Sequence, residues 1–241
     1  LIGIIAGCFF GLEAIVRYLS IVVPVIATGF IIILVAIIPK IDITNITPIL
    51  GTGPYDIFVK GFPQISIFSE LIIIFLIMPY LGGYNNGKSV GYTTIWLATM
   101  FFTLGSLFYI LVFPYPESVE RFLPIYQMSR LIDLGRFFRR IEPIFVFIWA
   151  MGALTDLVSL FYFTVYTISR SFDIKYQRPL ILPFAVILFC IAFIPPDIDV
   201  VIRIIRVFYS KVAWILTFAF SGMILLTAFL RKRKIAEEKS R

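Results

Sequence analysis

The 241-residue sequence contains no histidine and only two cysteines. Without histidine the chain has no imidazole to serve as a general base or a metal ligand, and no side chain that ordinarily titrates near neutral pH. Cys8 and Cys190 both lie inside apolar runs, so the sequence offers neither a disulfide framework nor a zinc ligand set. We therefore expect no metal and no cofactor.

Charged residues are also scarce, because Asp, Glu, Lys and Arg make up 15% of the chain against about 25% in a soluble domain. Hydrophobic residues make up 60%, and the mean hydropathy is +1.00. This small number of charges cannot cover the exterior of a soluble fold. We therefore expect an all-α polytopic membrane protein with the lipid bilayer as a partner. The net charge of +7 is distributed between the apolar runs, which argues against nucleic acid as a partner.

Catalytic motifs are missing too: no Gly-rich phosphate loop, nucleophile elbow or paired catalytic carboxylate occurs, so we expect no enzyme. The charges instead delimit apolar runs of the length that crosses a bilayer, about 20 residues. The seven spans predicted in this way lie at about 1–17, 18–39, 61–81, 89–113, 143–169, 179–196 and 212–230. They form one predicted transmembrane domain over 1–230.

The two ends of the chain carry separate predictions. The chain opens at Leu1 inside an apolar run, which predicts a cut N-terminus, and Glu13 and Arg17 are spaced to pair at the end of the first span. The basic tail over 231–241 favours a cytoplasmic C-terminus, whereas the basic residues of the loops alone favour the opposite orientation.

The long connection over 117–142 interleaves charged residues with Phe, Leu and Ile, which is an interfacial amphipathic pattern. Two interpretations remain open for it. It is either a helix that lies on the bilayer, or a lid or docking surface for a partner.

Asp156 lies at the centre of the predicted span 143–169. An ionised side chain at that depth costs at least about 2.5 to 3.5 kcal/mol, so it must face a bundle interior, a partner or a water-filled cavity. Gly152 shares its helix face, Thr155 lies beside that face, and Trp149 lies one turn earlier. These four residues are either a cavity wall that binds a cation, a proton or a substrate ammonium, or a structural contact between helices.

Glu70 follows a segment rich in Gly, Pro, Gln and Ser, which is unlike a smooth lipid-facing helix. Backbone that unwinds at membrane depth is tolerated where it lines a cavity. One interpretation is a broken helix with Ser66, Phe68, Ser69 and Glu70 at a binding site, where free amides near Ser66 to Ser69 would accept a carboxylate. The alternative is a helix started by Pro63, with Glu70 paired to an arginine.

Short motifs along the chain resemble the spore germination permeases, the B subunits of germinant receptors (GerAB type). The motifs that carry this resemblance run in the family's order over nearly the whole chain, and they lie at 11–17, 38–45, 48–51, 68–71, 78–81, 130–133 and 137–142, ending at Trp149.

The resemblance implies a LeuT-like, inverted-repeat fold of the amino acid-polyamine-organocation superfamily with ten helices, of which the first three would be absent here. It also implies a subunit that senses a small germinant, such as an amino acid or a sugar, together with A and C subunits in the inner membrane of a bacterial spore. Under this mapping the segments that carry Glu70 and Asp156 both line the central pocket. The alternatives are a proton- or cation-coupled amino acid permease without receptor partners, or a truncated remnant without function.

Overall fold

The computed structural model describes residues 1–47, 53–120, 123–133 and 142–239, and these residues form helices without any strand. Within these described ranges there are ten α-helices: α1 (Ile2–Phe10), α2 (Leu12–Ile37), α3 (Ile73–Ile77), α4 (Tyr84–Val112), α5 (Glu117–Glu120), α6 (Pro124–Arg130), α7 (Glu142–Ser171), α8 (Arg178–Ala192), α9 (Ile198–Phe208) and α10 (Trp214–Lys239). Segments of 3₁₀ and π helix, from 3 to 11 residues long, join or extend several of them.

Five of the described helical segments are long and apolar enough to cross a membrane. They are Leu12–Lys40, Asp56–Tyr80, Tyr84–Val112, Phe145–Ser171 and Ile198–Arg231, and the apolar helix Arg178–Ala192 is shorter. Large apolar side chains are exposed along all of them, as expected where lipid replaces water as the solvent. The prediction of an all-α polytopic membrane protein is confirmed, whereas the seven-span LeuT-like arrangement stays a prediction.

The first helix boundary differs from the predicted one between residues 17 and 18. The structure ends α1 at Phe10 and starts α2 at Leu12, because Gly11 has a φ of +83°, a conformation that interrupts a helix and that glycine adopts at little cost. Arg17 therefore lies inside α2, where its Nη2 is 2.7 Å from Oε1 of Glu13, and the predicted pairing is confirmed.

The chain forms two compact units. Unit 1 comprises Leu1–Ile49 and Thr94–Phe193, and unit 2 comprises Leu50–Thr93 and Ile194–Arg241. In unit 1 one apolar cluster joins α1, α7 and α8 around Cys8, Val165 and Ala185, and a second joins α2, α4 and α6 around Ile37 and Met128. In unit 2 the segment 56–80 packs against α10, where the rings of Phe62 and Trp214 meet edge to face at 5.7 Å.

The described part of the connection over 117–142 includes helix α6, which packs into unit 1. Helix α6 packs against α2 and α7, its residues Met128 and Ser129 are fully buried, and Ile132 just after it is buried as well. Leu123 takes a left-handed φ of 58° and Pro124 starts the helix, which turns the chain into the core of unit 1. Helix α6 is therefore packed on one side into unit 1, and the two interpretations of the connection stay predictions; residues 121–122 and 134–141 lie outside the described part.

Two hydrogen bonds attach the loop that follows α2 to the C-terminal end of α4. The backbone N–H of Asp42 and the Nδ2 of Asn45 both donate to the carbonyl of Leu111, each at 3.0 Å. That carbonyl lies in the last turn of α4, where carbonyls lack partners within the helix. The Asp42 carboxylate accepts from the backbone and hydroxyl of Thr44, and these bonds hold the pKa of Asp42 below its usual value.

Candidate functional site

The four predicted site residues on α7 do not all face the same surroundings. Trp149 is half exposed and Asp156 is exposed, whereas Thr155 is buried and Gly152 lies between these extremes. The Thr155 hydroxyl donates to the carbonyl of Met151 at 2.7 Å, so its hydrogen-bonding capacity is largely used within the helix. Thr155 lies on the side of α7 that faces α1 and α2, where it lines a cavity of about 330 Å³ together with Gly7 and Tyr18.

Gly152 allows α7 to approach α2 closely. A Cβ built on Gly152 would lie 2.9 Å from Cδ1 of Ile26, closer than real Cβ atoms come to a neighbour. This glycine was a predicted binding residue, and in the structure it contributes a helix-packing contact. The prediction for Asp156, which lies 4 residues later on the same face, is left untested by this contact.

Trp149 borders an apolar cavity of about 310 Å³ between α2, α6 and α7. Aliphatic and aromatic side chains form the walls, among them Phe30, Ile125 and Phe145. A second cavity of about 650 Å³ between α2, α4 and α6 shares Phe30 and Ile125 with the first. Among the described residues around these two cavities none is charged, so they suit an apolar group and not the charged ends of a zwitterion.

The segment that carries Ser66 to Glu70 is helical but not regularly α-helical. It begins with a π turn over Asp56–Lys60, continues as an eleven-residue 3₁₀ helix over Phe62–Ile72, and becomes α-helical only at α3. Runs of 3₁₀ helix longer than three or four residues are uncommon and mark strain or a functional hinge. The predicted irregularity is present, although it takes the form of tightened turns rather than an open break.

This geometry changes the expected role of the backbone amides. In a 3₁₀ helix each amide donates to the carbonyl three residues earlier, so the amides of Ser66 to Ser69 are engaged within the segment. They do not present the free donors that a bound carboxylate requires. Side-chain hydroxyls are the polar groups that this segment offers instead.

Two of the predicted residues, Ser66 and Phe68, line a cavity of about 290 Å³ in unit 2. The opposite wall comes from α10 and contains Thr217, Phe218 and Ser221. Ser66 is fully buried, whereas Ser69 is partly exposed and Glu70 is exposed, and neither of these two borders the cavity.

The α10 wall was missed by the sequence analysis. Its signal is the spacing of two hydroxyl residues four apart, Thr217 and Ser221, which places both on one face of an otherwise apolar span. The Thr217 hydroxyl donates to the carbonyl of Ala213 at 2.9 Å and keeps its lone pairs for a second partner. Hydroxyls beside aromatic rings suit a small molecule with both a polar and an apolar part.

Searches of curated proteins and of solved structures give no match to this chain. A family model described as spore germination protein, Spore_permease, matches residues 2–201. The match begins in α1, ends in α9 and includes the segment with Ser66 and Phe68 as well as all of α7. Since it covers most of the 241 residues, the chain belongs to the Spore_permease family of spore germination proteins.

Proposed function

We propose that this chain is the permease-like subunit of a spore germinant receptor, and that it binds a small nutrient in the unit 2 cavity between the 3₁₀ segment and α10. Family membership supports the role in germination. The observation that carries the binding proposal is the cavity of about 290 Å³, which combines the hydroxyls of Ser66, Thr217 and Ser221 with the rings of Phe68 and Phe218.

The chemistry of this cavity fits an amino acid or a sugar. Hydroxyl groups both donate and accept, so they can bind a carboxylate, an ammonium or a sugar hydroxyl. The two phenylalanine rings supply an apolar contact for a side chain or for one face of a sugar ring. A buried hydroxyl that loses its ligand group costs about 1 to 3 kcal/mol, so a molecule without the matching polar group is rejected.

The proposed role is binding that triggers a response, without catalysis. In this proposal the chain works in the inner membrane of the spore with A and C subunits, and nutrient binding shifts a conformational equilibrium that those subunits detect. The eleven-residue 3₁₀ helix supports this part, since its bonds can convert to α-helical bonds without the segment leaving the membrane.

The test is germination of spores whose complete gene carries Thr217→Val or Ser66→Ala. Each change removes one hydroxyl from the cavity, and we expect the nutrient concentration for half-maximal germination to rise about 5- to 150-fold, corresponding to about 1 to 3 kcal/mol. Thr227→Val is the matched control, because Thr227 is an exposed residue of the same helix whose hydroxyl also bonds to a backbone carbonyl. Equal dose responses for Thr217→Val and Thr227→Val would reject the cavity as the nutrient site.

A second candidate function is cation-coupled uptake of an amino acid without receptor partners. The observation that favours it is Asp156, an exposed carboxyl group inside the span Phe145–Ser171 that could carry a proton or a cation. Proteoliposomes of the purified protein should then accumulate labelled amino acid in response to an ion gradient, and Asp156→Asn should abolish accumulation. Absence of uptake together with intact nutrient-dependent germination favours the receptor.

A further inference from the structure

Helix α9 has its charges on one side. Because an α-helix advances about 100° per residue, Asp199, Arg203 and Arg206 fall within an arc of about 60°. Asp197 precedes the helix and its carboxylate accepts the backbone N–H of Val200 at 2.8 Å, which caps the first turn. The acidic end is therefore the N-terminus and the basic end the C-terminus, the arrangement that the helix dipole favours.

The side opposite these charges is apolar and exposed. Val201, Ile204, Ile205 and Phe208 project there, and Ile204 and Ile205 are 54% and 50% exposed. No residue of α9 is buried in the described part of the chain. Removing an apolar face of this kind from water is favourable, because the hydrophobic effect lowers the free energy.

The length of the last span leaves α9 outside the hydrocarbon. The helical segment Ile198–Arg231 contains 34 residues, or about 51 Å at 1.5 Å per residue, whereas the hydrocarbon core is about 30 Å thick. Charged residues begin again at Arg231, so the excess lies at the N-terminal end, which is α9. The π turn Tyr209–Ala213 separates α9 from α10, and π turns are among the few features that allow a helix to bend.

We propose that α9 is an interfacial helix that lies in the plane of the membrane and binds anionic phospholipid. Val201, Ile204, Ile205 and Phe208 enter the boundary between headgroups and acyl chains, and Arg203 and Arg206 contact the phosphate groups above. Within the described residues neither arginine forms an ion pair with a carboxylate, so both guanidinium groups are available to lipid phosphates.

Charge supports lipid over a protein partner as the occupant. An arginine in the hydrocarbon centre is costly, so α9 cannot simply extend the span inward. At the interface the same arginines are attracted by anionic headgroups while the apolar side enters the acyl region, so one orientation satisfies both faces. The bilayer is necessarily beside α9, because the span that follows crosses it.

The test places a nitroxide spin label at single cysteines of the full chain in nanodiscs of phosphatidylcholine with 30% phosphatidylglycerol, after Cys8→Ala and Cys190→Ser. Labels at Ile205→Cys and Asp199→Cys report the two faces, and Leu225→Cys within α10 is the hydrocarbon reference. We expect the label at 205 to be accessible to oxygen and shielded from a water-soluble nickel chelate, and the label at 199 to show the reverse. Nickel access at both positions, or exclusion of both reagents at 205 as under a protein partner, would overturn the proposal.

A second measurement tests the two arginines. Omission of phosphatidylglycerol should shift the label at 205 towards water, and Arg203→Gln with Arg206→Gln should remove this dependence on anionic lipid. Lys88→Gln with Lys175→Gln is the control of equal charge change outside α9 and should retain the dependence. The headgroup assignment is wrong if the arginine variant still responds to phosphatidylglycerol as the control does.

Discussion

The contact between α1 and α7 provides a sharp test of how unit 1 is packed. Gly7 lies in the middle of α1, and a Cβ built on it would lie 2.6 Å from Cγ1 and 3.3 Å from Cγ2 of Val158. A rotation of the Val158 side chain would still leave one methyl group within 3.3 Å, and valine in a helix has one strongly preferred rotamer. Gly7→Ala must therefore displace the helices or distort Val158, which is buried in the cluster around Cys8.

The magnitude follows from two opposing effects. Overpacking a core costs about 1 to 3 kcal/mol, while the exchange of glycine for alanine inside a helix contributes about 1 kcal/mol in favour of folding. Gly7→Ala alone should therefore destabilise the protein by about 0 to 2 kcal/mol. The more informative quantity is the coupling with Val158→Ala, which removes both methyl groups and should relieve about 1 to 3 kcal/mol of the overpacking cost.

The assay is a double-mutant cycle on the full chain in detergent micelles, with the midpoint of thermal unfolding followed by loss of the monodisperse species. Gly222→Ala is the matched control, because a Cβ there has no atom within 4 Å and the change should be neutral or stabilising. The packing of α1 on α7 would be refuted if Gly7→Ala matched Gly222→Ala, or if Gly7→Ala and Val158→Ala were simply additive.

Three further predictions concern polar and aromatic contacts. Loss of the Asp42 carboxylate in Asp42→Ala should lower Tm at pH 7, and the difference from wild type should shrink as pH falls below the ordinary Asp value of 3.8, because a group with a lowered folded pKa stabilises only while ionised. Glu13→Gln should change stability by less than about 1 kcal/mol, with a smaller effect at high salt, since its pair with Arg17 is exposed; a large salt-independent loss would contradict this. A cycle of Phe62→Leu and Trp214→Leu should show about 0.5 to 1.5 kcal/mol of coupling in unfolding measurements, and none if the rings do not meet.

Local patterns predicted the features that depend on neighbours in the chain. The pairing of Glu13 with Arg17 needs only a spacing of four on a helix, and it is present. The irregular backbone before Glu70 follows from Gly61 and Pro63, because proline lacks an amide hydrogen and disturbs the α-helical bonding of its turn. The structure supplied the form of that irregularity, an eleven-residue 3₁₀ helix, which no local rule specifies.

Features that depend on distant residues were not predictable. Met128 is buried because side chains of α2 and α4 pack around it. The amphipathic sequence pattern around Met128 predicted only that the connection is either a helix on the bilayer surface or a lid or docking surface. Thr155 and Asp156 are adjacent in sequence, yet α1 and α2 bury the first and leave the second exposed. Thr217 and Ser221 line a cavity only because the 3₁₀ segment with Ser66 packs against α10.

The sequence by itself determined that this protein is helical and lies in lipid. With only 15% charged residues the chain cannot cover a soluble fold, and apolar runs in lipid form helices because a helix makes all of its backbone hydrogen bonds internally. The sequence also determined the family, because short motifs in a fixed order can be recognised without knowing which residues are in contact. The tertiary structure decided which polar side chains share a cavity, because helices in a membrane are apolar on nearly every side and their periodicity no longer tells which face meets another helix. Close approaches such as those at Gly7 and Gly152, rather than hydrophobic patterning, specify that choice.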